Sequence, residues 1–164
     1  QLNKSLLLLA KIENKQFDKP ISIGINSLLE ESLTHFEEYI EYRNIEISKK
    51  FQNSITVFMD PSLARVLVSN LIKNAVFHNI ENGHIQLFLE GSKMTVCNAG
   101  SNKALNPEIV FQRFQKDANN NQSTGLGLAV CKAVCEFYDI PISYYYNEGE
   151  HCFVIDFTKI AKVL

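Results

Sequence analysis

Asn70, Asn74 and His78 recur every fourth residue on a segment whose apolar positions, Leu67, Leu71, Ile72, Ala75 and Val76, follow a helical period, so the three polar side chains share a face. Asparagine is a poor helix-interior residue because its amide competes for the backbone. Its repetition one turn apart suggests oxygens presented to a ligand or a hard cation, while a loop cap and a hydrated side chain are the simpler alternative. Mg²⁺ takes oxygen donors, keeps several waters and shares the phosphate oxygens of a substrate, so a single amide oxygen from Asn74 would suffice. A second stretch, Ser123-Thr124-Gly125-Leu126-Gly127-Leu128, runs into the apolar periodic segment Ala129 to Tyr138 and reads as a loop that becomes a helix. The first turn of such a helix has N–H groups without intrahelical partners and partial positive charge, and glycines admit a ligand to the main chain, which suits phosphate. A glycine-rich turn before a core helix would look the same. At Asn98-Ala99-Gly100, where a strand ends, a flat group could approach the backbone, although a hairpin turn explains these residues equally well.

The elements that must position these residues follow from periodicity. Leu2, Leu6, Leu9 and Ile12 predict a helix over residues 1–16 with an apolar stripe, ended by Asp18-Lys19-Pro20, so that residues 1–17 form an N-terminal helix and 18–164 the main domain. Ile21, Ile23 and Ile25 alternate as in a strand, and Ser27-Leu28-Leu29-Glu30 resembles a capping box opening a helix to about Tyr42. Strands are predicted from Ile45 and over Ile55 to Met59; Asp60 as N-cap and Pro61 at the first position then open the long helix to about Asn79. Two strands, Ile85 to Leu89 and Met94 to Cys97, flank Glu90-Gly91-Ser92-Lys93 as a hairpin. Asn106-Pro107-Glu108 is expected to cap a short helix through Arg113, Gln115 to Thr124 to form a polar loop or lid, and Ile140 to Tyr146 with Cys152 to Phe157 to close the chain as a hairpin. The sum is an α/β (α+β) sandwich: a mixed, mostly antiparallel sheet of about five to seven strands with three main helices on one face.

A chain of 164 residues, 46% of them hydrophobic, supports one sizeable core. A net charge of −2 with no cluster of Lys and Arg argues against a nucleic-acid partner. No apolar run nears the ~20 residues that cross a bilayer, and no signal-peptide pattern opens the chain, so a soluble piece without membrane contact is expected. A start at Gln rather than Met is read as a piece of something longer. Cys97, Cys131, Cys135 and Cys152 lack zinc-site spacing and are expected to be buried free thiols of a reducing compartment.

Four segments in order resemble the motifs of the ATP-binding catalytic domain of sensor histidine kinases, in the superfamily that includes type II topoisomerase and ninety-kilodalton heat-shock chaperone ATPase domains. NLIKNAVFHN (Asn70 to Asn79) is similar to its asparagine box, VCNAG (Val96 to Gly100) to its first glycine box, VFQRF (Val110 to Phe114) to its phenylalanine box, and STGLGLAV (Ser123 to Val130) to its second glycine box. LLLLAKIENKQF, Leu6 to Phe17, resembles the end of the dimerisation and phosphoacceptor hairpin.

The resemblance implies a Bergerat ATP-binding fold with ATP and Mg²⁺ as cofactors. It makes Asn74 the Mg²⁺ ligand, with Asn70 beside the phosphates and Phe77 and His78 at the site. It sets Asn98 where a carboxylate accepts the adenine amino group, lets Gly100 admit the base, and gives the backbone of Gly125, Leu126, Gly127 and Leu128 to the phosphates, with Ser123 and Thr124 also in the ATP site. Gln115 to Thr124 would be the ATP lid, anchored by Phe111 and Phe114, with Arg113 or Lys116 adding a cation. Departures are Asn98 for Asp, Phe77 for a phosphate-binding Lys or Arg, Ser123 for the first glycine of the second glycine box, and Asn102 for the second glycine of the first; Lys116 is preferred to Lys73 as the substitute cation. The implied activity is transfer of the ATP γ-phosphoryl to a histidine on a dimerisation helix, for relay to a response-regulator aspartate. None of His35, His78, His84 and His151 fits the acceptor motif, so the chain is expected to hold no catalytic nucleophile. The parent is expected to be a homodimer through the N-terminal helix, with this part at the cytoplasmic end of a membrane-anchored sensor. The alternatives are a degenerate nucleotide-binding signalling module that transfers nothing, or a protein-interaction module.

Overall fold

The computed structural model describes residues 2–115 and 123–163. Its main sheet has five strands in the order β2-β4-β5-β7-β6: β2 (Glu46–Phe51), β4 (His84–Glu90), β5 (Lys93–Ala99), β7 (Glu150–Asp156) and β6 (Ile142–Asn147). β2 runs parallel to β4 and every other pair is antiparallel. A second sheet joins β1 (Ile21–Gly24), β3 (Ile55–Met59) and β8 (Ala161–Val163) in the order β1-β3-β8. The described residues also form five helices: α1 (Leu2–Glu13), α2 (Ile25–His35), α3 (Glu37–Tyr42), α4 (Pro61–Phe77) and α5 (Gly127–Phe137). The five-stranded, mostly antiparallel main sheet is the mixed sheet the sequence predicts, and the described residues add a second sheet whose short C-terminal strand carries no period-2 signal of its own.

Strand alternation sorts the main sheet. Ile85, Leu87 and Leu89 of β4, Met94 and Val96 of β5, and Phe153 and Ile155 of β7 are buried and join one core with α2, α4 and α5. The opposite face carries His84 in an ion pair with Glu150, and a disulfide joining Cys97 to Cys152. That bridge corrects the expectation of four free thiols. Cys97 and Cys152 are direct cross-strand partners of β5 and β7, 55 residues apart in sequence, a proximity that spacing along the chain does not reveal; Cys131 and Cys135 are free and buried as expected.

α4 begins as its sequence predicts: Asp60 accepts from the N–H groups of Ser62 and Leu63, with Pro61 inside the first turn. It ends under Arg43, whose guanidinium donates to the carbonyls of Val76 and Asn79 at 3.3 and 2.7 Å. Asn79 lies beyond the helix and is buried, donating to the Ala75 and His84 carbonyls.

Three local expectations are corrected. α2 starts at Ile25 with Gly24 as N-cap, not at a capping box: Ile25 is fully buried rather than part of a strand, and Asn26 spends its side chain accepting Ile55 N–H. The helix expected to reach Tyr42 breaks at Phe36, whose ring packs edge-on against Phe77. Residues 106–113 form turns rather than a helix; Asn106 accepts Glu108 N–H, but only Val110 is buried there, too little apolar surface to hold a helix. α1 packs against α5 through Leu9 and Ile12, with Leu2 and Leu7 exposed.

Candidate functional site

The helical period of α4 sets Asn70 and Asn74 one turn apart, each half-buried. Asn70 meets the glycine segment: a Cβ on Gly127 would lie 3.5 Å from Asn70 Oδ1. The two motifs are therefore adjacent in space although 57 positions separate Asn70 from Gly127, and α4 and α5 are packed together. α5 opens without a side-chain cap at Leu126, and its first intrahelical bond runs from Val130 N–H to the Leu126 carbonyl, so the amides of Gly127, Leu128 and Ala129 precede it. Just upstream, Ser123 Oγ accepts Gly125 N–H and Thr124 Oγ1 accepts Leu126 N–H, both at 3.3 Å.

The described residues on either side of the polar loop meet. Phe114 N–H donates to the Gly125 carbonyl at 2.7 Å, with φ of +62° at Phe114 and +72° at Gly125, a region glycine enters without strain. Phe111 anchors this end by packing edge-on against Phe153, whereas the Phe114 ring is exposed, so its amide rather than its ring does the fastening. Arg113 is committed to an ion pair with Glu13 of α1. Lys116 and most of the expected lid lie outside the described residues.

Phe77 packs against Tyr39 and Phe36, ring centroids 4.5 and 6.1 Å away, and Lys73 Nζ lies 6.0 Å above its ring. His78 is the C-cap of α4, and its carbonyl would lie 3.2 Å from a Cβ on Gly100.

Asn98 is the deepest polar group of the site at 1% exposure. Its strand parity, shared with Met94 and Val96, turns it toward the helices. Its Nδ2 donates to the Ala99 carbonyl at 2.9 Å, while Oδ1 is buried without a partner. Such an orphan acceptor costs about 1–3 kcal/mol in the free protein and calls for a donor. An exocyclic amino group of a flat base supplies one; a keto oxygen in its place would set acceptor against acceptor. Among the described residues no group of three His, Cys, Asp or Glu side chains could hold a metal, so amide oxygens on α4 are the donors on offer, a set that suits a cation keeping waters and phosphate oxygens.

His151 and Tyr144 carry no local sequence signal for this site. Strand register brings them to the site: His151 of β7 is the cross-strand partner of Asn98, and Tyr144 of β6 bonds to its ring. Burial raises the Tyr144 hydroxyl above its ordinary pKa, partly offset by the Leu105 N–H it accepts.

Residues 59–159 match the family described as histidine kinase-, DNA gyrase B-, and HSP90-like ATPase. The heme sensor protein HssS of Staphylococcus saprophyticus is 28% identical over all of this chain and 37% of its own length. The sensor histidine kinase HprS of Escherichia coli is 31% identical over 94% of this chain and 35% of its own. The chain thus spans little more than a third of these relatives. The catalytic domain of histidine kinase ThkA superposes with a TM-score of 0.74 at 25% identity, covering 85% of this chain and 95% of that one, and ThkA has also been solved in complex with the response regulator TrrA.

Proposed function

Because the chain belongs to the histidine kinase-, DNA gyrase B- and HSP90-like ATPase family, we propose that it is the ATP-binding catalytic part of a sensor histidine kinase, and that Asn98, Gly100, Asn70, Asn74 and the Ser123 to Leu128 segment form its nucleotide site. The observation that carries this is the buried, unpartnered Oδ1 of Asn98 at the end of β5. That acceptor selects adenine by its amino group. The free amides at the start of α5 and the amide of Asn70 serve the phosphates, and Asn74 ligates Mg²⁺. His78 and Phe77 line the α4 side, with Ser123 and Thr124 at the mouth of the loop and Lys116 contributing a cation from it.

Bound Mg²⁺-ATP would supply the γ-phosphoryl group, and the chain's own residues orient it and neutralise its charge. The phosphoacceptor histidine belongs to the dimerisation helix, of which α1 is the end, rather than to His35, His78, His84 or His151. The parent would dimerise through that helix, pass phosphate to a response regulator as the ThkA complex suggests, and be membrane-anchored with this domain on the cytoplasmic side. No described helix is long and apolar enough to cross a membrane. A second reading, nucleotide binding without transfer, is favoured by Phe77, which fills the place of a phosphate-binding cation with an aromatic cluster.

Calorimetry tests the site. ATP should bind more tightly with Mg²⁺ than without, and Asn74→Ala should erase that difference while leaving Mg²⁺-free binding within about twofold. Equal wild-type affinity with and without Mg²⁺ would sink the role of Asn74. Labelling of a longer chain that includes the preceding helix separates kinase from silent binder: tight ATP binding without label favours the second reading.

A further inference from the structure

His151 is 6% exposed, and both ring nitrogens are engaged. The Ser101 carbonyl can only accept, so Nε2 carries the proton and donates to it at 2.9 Å; Nδ1 then accepts from the Tyr144 hydroxyl at 2.8 Å. Tyr144 Oη in turn accepts Leu105 N–H at 3.0 Å. Both ends of the Ser101 to Leu105 segment are thereby fastened to the β6–β7 hairpin by one relay of two rings. The imidazole also presses on the end of β5. A Cβ on Gly100 would come 2.8 Å from His151 Cδ2 and 3.2 Å from the His78 carbonyl, so the imidazole, the strand end and the C-terminal end of α4 meet around one glycine. On the same sheet face, Asn98 stands directly opposite His151.

We infer that His151 is a positioning residue for the base end of the cleft: acting through Gly100 and Ser101, with Tyr144 as its anchor, it sets the depth at which Asn98 Oδ1 meets the base. This rests on the nucleotide reading of the site. The relay places nothing at the phosphate end, so its loss should weaken ATP by the same factor whether or not Mg²⁺ is present.

The substitutions follow from donor geometry. A glutamine carboxamide offers a donor and an acceptor spaced much like the two imidazole nitrogens, whereas phenylalanine keeps the ring and offers neither. In calorimetry of the full 164-residue chain, His151→Phe and Tyr144→Phe should each weaken ATP roughly tenfold, with and without Mg²⁺, and His151→Gln should stay within about threefold of wild type. Thermal melts run alongside. If His151→Phe melts without cooperativity, Tyr144→Phe, which removes one half-buried hydroxyl, decides the matter. Wild-type affinity in both ring variants overturns the inference, as does a loss confined to Mg²⁺ conditions or a His151→Gln variant as weak as His151→Phe. Absence of ATP binding by the wild-type chain overturns the nucleotide reading itself, and this inference with it.

Discussion

Asn98 shows how one side chain sets both a cost and a use. A carboxylate at this position would be charged where only 1% of the residue is exposed, and the amide avoids that while keeping one oxygen unpartnered. Asn98→Asp should therefore act in opposite directions on the two states. The free protein should melt lower, because a buried charge costs more than a buried amide oxygen. ATP affinity should rise, since a hydrogen bond to an ionised acceptor exceeds a neutral one by about 1 kcal/mol or more. Thermal melts with and without ATP check this: the ligand-induced shift should be larger in the variant, and an equal or smaller shift would contradict the role given to Asn98.

At the scale of elements, α4 is the bracket that holds the site, and its ends are fastened by residues of very different legibility. Its start was open to reading, since Asp60 and Pro61 act locally through the helix's own first amides. Asp60→Ala should lower stability by about 1 kcal/mol, read as a shift in the urea midpoint, with ATP affinity little changed because the cap lies at the far end from Asn74. Its finish was not legible, because Arg43 caps the last carbonyls from more than thirty residues away. The same contrast explains the other outcomes. The asparagine and glycine segments announced themselves by spacing within one element each, but the alliance of Asn98 with His151 exists only through strand register. Ser27 looked like a cap because the pattern S-x-x-E is local, and the buried Ile25 with the tie from Asn26 to Ile55 overrode it. Phe36 ended a helix for the sake of a contact with Phe77, a tertiary preference that no propensity records.

For the whole molecule, the four cysteines divide into a pair that staples the sheet and a pair sealed in the core. Closing a loop with a separation of 55 residues removes about 4 kcal/mol of unfolded-chain entropy in the simplest account, so the Cys97–Cys152 bridge would add to global stability wherever it is kept oxidised. The core pair instead couples stability to pH. Burial pushes the Cys131 thiol well up, helped by Cys135, and pushes Cys135 itself up to about 12 against the favourable charge of Lys132. Unfolded thiols ionise near pH ~8.5, so above that pH the unfolded chain sheds protons that the folded chain keeps. Stability should be level up to about pH 8 and then fall as pH rises, by up to ~1.4 kcal/mol per pH unit for each thiol. Urea midpoints measured from about pH 7 to 10.5 check this, and Cys131→Ala with Cys135→Ala should flatten the alkaline slope.

β8 pairs Ile55 with Val163 and Val57 with Ala161, completing a sheet whose first strand begins at Ile21. During synthesis, then, every residue of the cleft has left the ribosome before β3 gains its second neighbour. A nascent chain must carry Phe58, half of whose surface the finished fold still leaves open, beside an unpaired strand edge for about a hundred residues of translation. The stretch at greatest risk of misassociation in the cell is therefore not the nucleotide site but the small sheet.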